Sequence, residues 1–133
     1  MIALRDSIGS DFVERTESFF SPSGLLAKAK NFEHRPQQQQ MAAAVARALE
    51  EERHLVVEAG TGVGKSLAYL RPAVQFALEQ KKKAIISTHT INLQEQLLYK
   101  DIPILKSSAR DFRCSADQRP PKLRLPAPAA ARA

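Results

Sequence analysis

The segment Ala59-Gly60-Thr61-Gly62-Val63-Gly64-Lys65-Ser66 constrains this chain more than any other. It follows the apolar run Leu55-Val56-Val57 and precedes the helical pattern Leu67-Ala68-Tyr69-Leu70. That strand–loop–helix context gives a glycine-rich loop ending in Gly-Lys-Ser its chemical meaning. Glycines at 60, 62 and 64 let the backbone curl with its N–H groups inward, where side chains would obstruct it. The loop ends at a helix N-terminus, whose free N–H groups and dipole favour an anion. Lys65 is placed to reach outer phosphates, and the Ser66 hydroxyl to take one position on Mg²⁺. The strict pattern has Gly where this chain has Ala59. The bland alternative is a glycine-rich turn that binds nothing.

Two further segments flank the loop. Upstream lies Phe32-Glu33-His34-Arg35-Pro36-Gln37-Gln38-Gln39-Gln40-Met41. An Arg-Pro-x-Gln about twenty residues before a phosphate loop can present a Gln amide to adenine, because an amide offers one acceptor and two donors to the N6/N7 edge. Four consecutive glutamines leave the register open, and the spacing from Arg35 selects Gln38. Downstream lies Ser87-Thr88-His89-Thr90-Ile91-Asn92-Leu93-Gln94-Glu95-Gln96. Thr90-x-x-Leu93-x-x-Gln96 falls where a strand meets a helix, and hydroxyls with helix N–H groups there could hold a nucleic-acid phosphate. The competing reading is an ordinary Thr N-cap. His34 and His54 have no metal-like spacing and receive no role, and His89 reads as an ordinary polar residue more readily than as a ligand.

Apolar patterning places the remaining elements. Residues 1–20 read as a short amphipathic helix with Phe12, Phe19 and Phe20 as contacts, and 21–24 as a turn. Pro36 suits the first turn of a helix to about Glu51, with Met41, Val45 and Leu49 on one face. Strands are expected at 54–58 and 84–88, and helices at about 64–79 and 90–97. Pro72 sits inside the first of these helices, and Pro103 is expected to end or interrupt the second. Lys81-Lys82-Lys83 reads as a charged turn, with nucleic-acid contact as the sharper alternative. The expected fold is therefore α/β: a partial phosphate-loop domain with parallel strands, flanking helices and an incomplete sheet. The expected organisation is a lead-in at 1–31, an ATP-binding portion at 32–112, and a disordered tail at 113–133.

Charge and cysteine content narrow the class. The net charge is +6, but residues 113–133 carry five Lys/Arg against Asp117, while the other 112 residues hold 15 positive and 13 negative charges. The basic balance thus belongs mostly to the tail, where 119–133 holds four prolines and five alanines. A single cysteine, Cys114, excludes an internal disulfide. No run approaches the roughly 20 apolar residues of a membrane span, and no signal-peptide pattern opens the chain, so a cytoplasmic protein without membrane contact is expected.

Together, Phe-Glu-His-Arg-Pro-Gln-Gln (32–38), Glu-Ala-Gly-Thr-Gly-Val-Gly-Lys-Ser (58–66) and Ile-Ser-Thr-His-Thr-x-x-Leu-Gln-Glu-Gln-Leu (86–97) resemble the DinG-type, iron–sulfur branch of superfamily 2 DNA helicases. The resemblance covers about residues 19–112. It implies a RecA-like domain that binds ATP and Mg²⁺ and moves along single-stranded DNA. By that analogy Arg35 and Gln38 read adenine, and Ala59, Gly60, Thr61, Gly62, Val63, Gly64, Lys65 and Ser66 hold the phosphates. Lys65 and Ser66 take the catalytic roles, with Ser66 on the metal, and Thr88, Thr90 and Gln96 touch the DNA backbone.

The sequence also departs from the family. Hydrolysis of ATP needs carboxylates that hold Mg²⁺ and position water. The acids after Ser66 are Glu79, Glu95, Asp101, Asp111 and Asp117, with no Asp-Glu pair behind an apolar run. The family's iron–sulfur cysteines are missing. In the family the corresponding region runs on into a segment like Lys-Gly-Arg-x-Asn-Tyr-x-Cys. One permitted codon choice for residues 116–126 reads Lys-Gly-Arg-Gln-Asn-Tyr-Val-Cys one base later. The expectation is a helicase N-terminal portion, truncated by a frameshift near Cys114 and not competent alone. The alternative is a stand-alone nucleotide-binding regulatory module without hydrolysis.

Overall fold

A computed structural model describes residues 3–29, 32–108 and 112–116, with side chains given from residue 11 onward. Its regular structure is helical: α1 (Ala3–Phe19), a 3₁₀ turn (Leu26–Lys28), α2 (Pro36–Glu50), α3 (Lys65–Gln80), α4 (Ile91–Gln96), a π-helical turn (Leu97–Asp101) and α5 (Ile102–Ser108).

Each helix start has a local cause. Pro36 occupies the first position of α2, where its fixed φ suits the helix and its missing N–H is not needed. α3 begins directly after Gly64, which is left-handed at φ 80°, ψ 42°. α4 begins at Thr90, whose Oγ1 accepts the Leu93 N–H at 3.2 Å. α3 continues through Pro72 to a left-handed Lys81, with Pro72 among the most deeply buried side chains. Its ring removes the N–H that would meet the Ala68 carbonyl, yet burial holds the helix together.

The core lies among α1, α2 and α3, closed by the turn after α4. Phe19, Phe20, Leu26, Ala42, Ala68, Leu70, Leu97 and Leu105 form one buried cluster. Phe20 is 1% exposed, and burying such a side chain is worth about 1.5–3 kcal/mol. Ala42 and Ala46 on α2, and Ala68 on α3, have no exposed surface. Small residues at these positions let the helices approach closely. Polar contacts fix α1 on this body: Gln39 Nε2 donates to the Glu17 carbonyl at 2.9 Å, and Arg15 Nη1 pairs with Glu79 Oε1 at 2.5 Å. The Phe12 and Phe76 rings meet edge-on at 6.0 Å.

The α/β expectation is corrected. There is no strand among the described residues, so no parallel sheet exists for the helices to flank. Segments 54–58 and 84–88 are non-helical, as the β-branched runs suggest, but neither makes a ladder. A strand is defined by its hydrogen-bonded neighbour, and an apolar run records only the capacity to be buried. Val56 is 96% exposed and Ile85 92% exposed. What remains beside α2 is an apolar groove of about 290 Å³ lined by Met41, Val45, Leu49, Leu55, Val57 and Tyr69.

The helix after Thr90 also differs from expectation. Pro103 does not end it, and the interruption takes the form of a π turn. The chain widens into the π turn at Leu97–Asp101 just before Pro103 and then resumes as α5. The wider turn relieves the clash a proline ring makes with the carbonyl four residues back. The helices at 3–19, 36–50 and 65–80 lie within a few residues of the sequence reading. Tail residues 117–133 lie outside the described residues, as does Asp111. None of the described helices is long and apolar enough to cross a membrane.

Candidate nucleotide site

The loop at 59–66 owes its shape to two left-handed glycines. Gly62 and Gly64 both have φ near 80°, a conformation that costs other residues about 1–2 kcal/mol. No heavy atom lies within 4 Å of the places where a Cβ would stand on Gly60 or Gly62, so the loop faces open space there. Lys65 and Ser66 open α3, whose first N–H groups have no helical partner. Lys65 Nζ donates to the Ala59 carbonyl at 2.9 Å, arching back over the loop.

The upstream segment meets this loop directly. Arg35 Nη1 donates to the Gly62 carbonyl. Gln38 Nε2 donates to the Gly64 carbonyl at 3.0 Å. Gln38 is 4% exposed, and a Cβ on Gly64 would collide with its Nε2. Gln38 lies on the loop, while Gln39 bonds α1 and His34. The structure brings Arg35, Gln38 and 59–66 into one cluster.

It does not bring the downstream residues into that cluster. Thr90 makes the N-cap bond, and Thr88 Oγ1 donates to the Thr90 carbonyl at 3.4 Å. Gln96 is exposed, and its Nε2 donates to Asp101 Oδ2 at 3.4 Å. No hydrogen bond joins Thr88, Thr90 or Gln96 to the phosphate loop among the described residues.

Two neighbours escaped the sequence reading. Tyr69 lies one helical turn after Ser66, and burial pushes its hydroxyl pKa up against the opposing influence of Ser66. Asp101 is 4% exposed, and burial raises its carboxyl pKa against the opposing hydrogen bond from Gln96. The Asp101 charge also pushes the Tyr69 pKa up. A π turn cannot be read from side-chain periodicity, which hid the inward aim of Asp101.

The donor set can be tested against the groups the family uses. Lys65, Ser66, free helix N–H groups and an open concave backbone fit a triphosphate, with Ser66 as the one side chain of the loop suited to its Mg²⁺. Among the described residues no cluster of three His, Cys, Asp or Glu could hold a metal unaided. Cys114 is the sole cysteine of the chain, so its residues do not fit an iron–sulfur cluster.

The DEAD/DEAH box helicase family model matches residues 35–122. The chain belongs to this helicase family. Among its relatives, the ATP-dependent DNA helicase YoaA of Escherichia coli K12 is 50% identical over 92 residues, covering 68% of this chain and 14% of that protein. YoaA of Haemophilus influenzae is 43% identical over 99 residues, covering 74% of this chain and 15% of the relative. The ATP-dependent DNA helicase DinG of Escherichia coli K12 is 46% identical over 94 residues, covering 69% and 13% respectively. This DEAD/DEAH chain therefore spans only 13–15% of the length of these relatives. No solved structure matches it.

Proposed function

We propose that this chain is the ATP-binding N-terminal portion of a DinG-like DNA helicase. The observation that carries the reading is the docking of Arg35 and Gln38 onto the carbonyls of Gly62 and Gly64. It joins a side-chain amide to a phosphate-type loop. Gln38 uses one N–H on Gly64, leaving a second N–H and Oε1 as the donor–acceptor pair an adenine edge requires. In this reading Lys65 exchanges the Ala59 carbonyl for phosphate oxygens, the loop N–H groups surround them, and Ser66 takes a position on Mg²⁺. The bound metal supplies charge neutralisation. Thr88, Thr90 and Gln96 are proposed to contact single-stranded DNA, for which exposure of Thr90 and Gln96 is the supporting feature.

The chain alone is proposed to lack ATPase activity. Glu79 is held by Arg15 and Gln75, Asp101 is buried against Gln96, and neither extends from the loop. The tail from about Cys114 is proposed to be out of frame, since a permitted codon set restores a family-like segment one base later. Resequencing from the codon for Phe112 onward checks this: a shifted frame lacking Lys-Gly-Arg-x-Asn-Tyr-x-Cys removes it. The second reading, a nucleotide-binding module acting without hydrolysis, is favoured by the buried core that α1, α2 and α3 already share.

Base selectivity tests the main reading. Titration with Mg-ATP and Mg-GTP is expected to show an adenine preference that Gln38→Ala abolishes. Equal binding of both nucleotides by the wild-type chain would refute an adenine role for Gln38.

A further inference from the structure

A second basic cleft lies between the end of α1, the turn that follows it and the middle of α3. It has a volume of about 520 Å³ and is lined by Arg15, Ser18, Ser21, Ser23, Lys28 and Arg71 among others. Among the described residues no carboxylate lines it, and none of its lining residues belongs to the phosphate loop.

Arg71 is the unusual member. Its guanidinium lies 4.4 Å from the centre of the Phe19 ring, half-buried. It has no hydrogen-bond or ion-pair partner among the described residues, and its Nε is fully buried. Burial, and then the like charge of Arg15, push its pKa down. No hydrogen bond or ion pair joins it to Glu79, whose carboxylate bonds Arg15 and Gln75. Gln75 Oε1 is also buried without a partner. It lies one turn along the same helix, so a small rotation could pair it with Nε. That would still leave the four N–H groups on the two Nη atoms without a protein acceptor among the described residues.

The Nε of this half-buried cation is buried without an acceptor among the described residues, while its Nη atoms are not buried and can meet a ligand. A planar guanidinium beside a second cation and free hydroxyls is the donor set that phosphate oxygens take. Arg71 and Lys28 supply charge, and Ser18 and Ser23 have hydroxyls unengaged among the described residues. We propose that this cleft binds a phosphoryl group, carried either by a nucleic-acid backbone or by inorganic phosphate. The cleft is larger than one phosphate needs, leaving room for an attached sugar.

The test uses the full chain carrying Lys65→Ala, so that the phosphate loop contributes least. Inorganic phosphate is titrated by ³¹P NMR, and a fluorescent oligo-dT by anisotropy. Saturable phosphate binding is expected, weakened about tenfold or more by Arg71→Gln, as loss of a charged hydrogen bond implies. Lys28→Gln, at an exposed position, is expected to weaken it by a smaller factor and keeps the test decisive if Arg71→Gln fails to fold. Displacement of phosphate by oligo-dT identifies the backbone as the source, and phosphate binding without displacement identifies the free ion. Absence of saturable binding for both probes overturns the proposal. So does binding that Arg71→Gln and Lys28→Gln leave unchanged.

Discussion

Replacing Gly64 by Ala should expose how tightly Gln38 and the loop depend on each other. Gly64 sits at φ 80°, where an alanine costs about 1–2 kcal/mol. Its new Cβ would also collide with Gln38 Nε2. Gln38 is 4% exposed and cannot swing freely into water. Relief therefore breaks its 3.0 Å bond to the Gly64 carbonyl, and stranding a buried polar group costs about 1–3 kcal/mol. The two terms together predict about 2–5 kcal/mol of destabilisation. Gln38→Ala alone loses the same hydrogen bond and should cost about 1–3 kcal/mol. That bond can be lost only once, so the double variant should fall short of the sum by about 1–3 kcal/mol. Urea unfolding of the four proteins, with unchanged slopes, measures the cycle. Additivity within about 0.5 kcal/mol would refute the claim that Gln38 and Gly64 share one packed contact.

Asp101→Asn should stabilise the chain at pH 7 by up to about 1–3 kcal/mol, since it removes a buried charge whose one hydrogen bond among the described residues is 3.4 Å long and which the Lys100 charge only partly offsets. The folded pKa of Asp101 is raised by burial, so the penalty exists above that pKa and vanishes as pH falls through it. Thermal melts across pH should show the gain disappearing in acid, and a gain that persists there would contradict this origin. Arg15→Ala should cost only about 0.2–1 kcal/mol, because its pair with Glu79 is substantially exposed. Burial pushes the Glu79 pKa up, but hydrogen bonds from Arg15 and Gln75 outweigh it and hold the group below its ordinary value. The Arg15 contribution should therefore be present above the unfolded carboxylate range and fade as pH falls through the folded pKa, or as salt rises. Val56→Lys should leave stability within about 0.5 kcal/mol and reduce self-association seen by light scattering, because Val56 is 96% exposed. A loss above about 1 kcal/mol would show that Val56 is buried in solution.

The helices and the loop were legible because their signals are local. Pro36 marks a helix start by its own ring, Thr90 caps through its own hydroxyl, and Gly62 and Gly64 adopt the φ only glycine accepts readily. The strands were not legible, because Val56 and Ile85 advertise burial without specifying a neighbour to provide it. The site divides along the same line. The spacing from Arg35 selected Gln38 for adenine, and its contact with the Gly64 carbonyl is a packing feature that the spacing did not announce. Asp101 was passed over as one acid among five, since its burial depends on a π turn that no apolar period announces. Arg71 carries no sequence signal, because its setting depends on the Phe19 ring that α1 packs beneath it.

Calorimetric titration of Mg-ATP into the purified 133-residue chain and its Lys65→Ala variant tests the central claim most directly. The account predicts one saturable site in the wild type, competed by ADP. Lys65→Ala should weaken it about 10- to 100-fold, the loss of a charged hydrogen bond of about 1.5–3 kcal/mol. No saturable binding, or equal affinity in the two proteins, would contradict it.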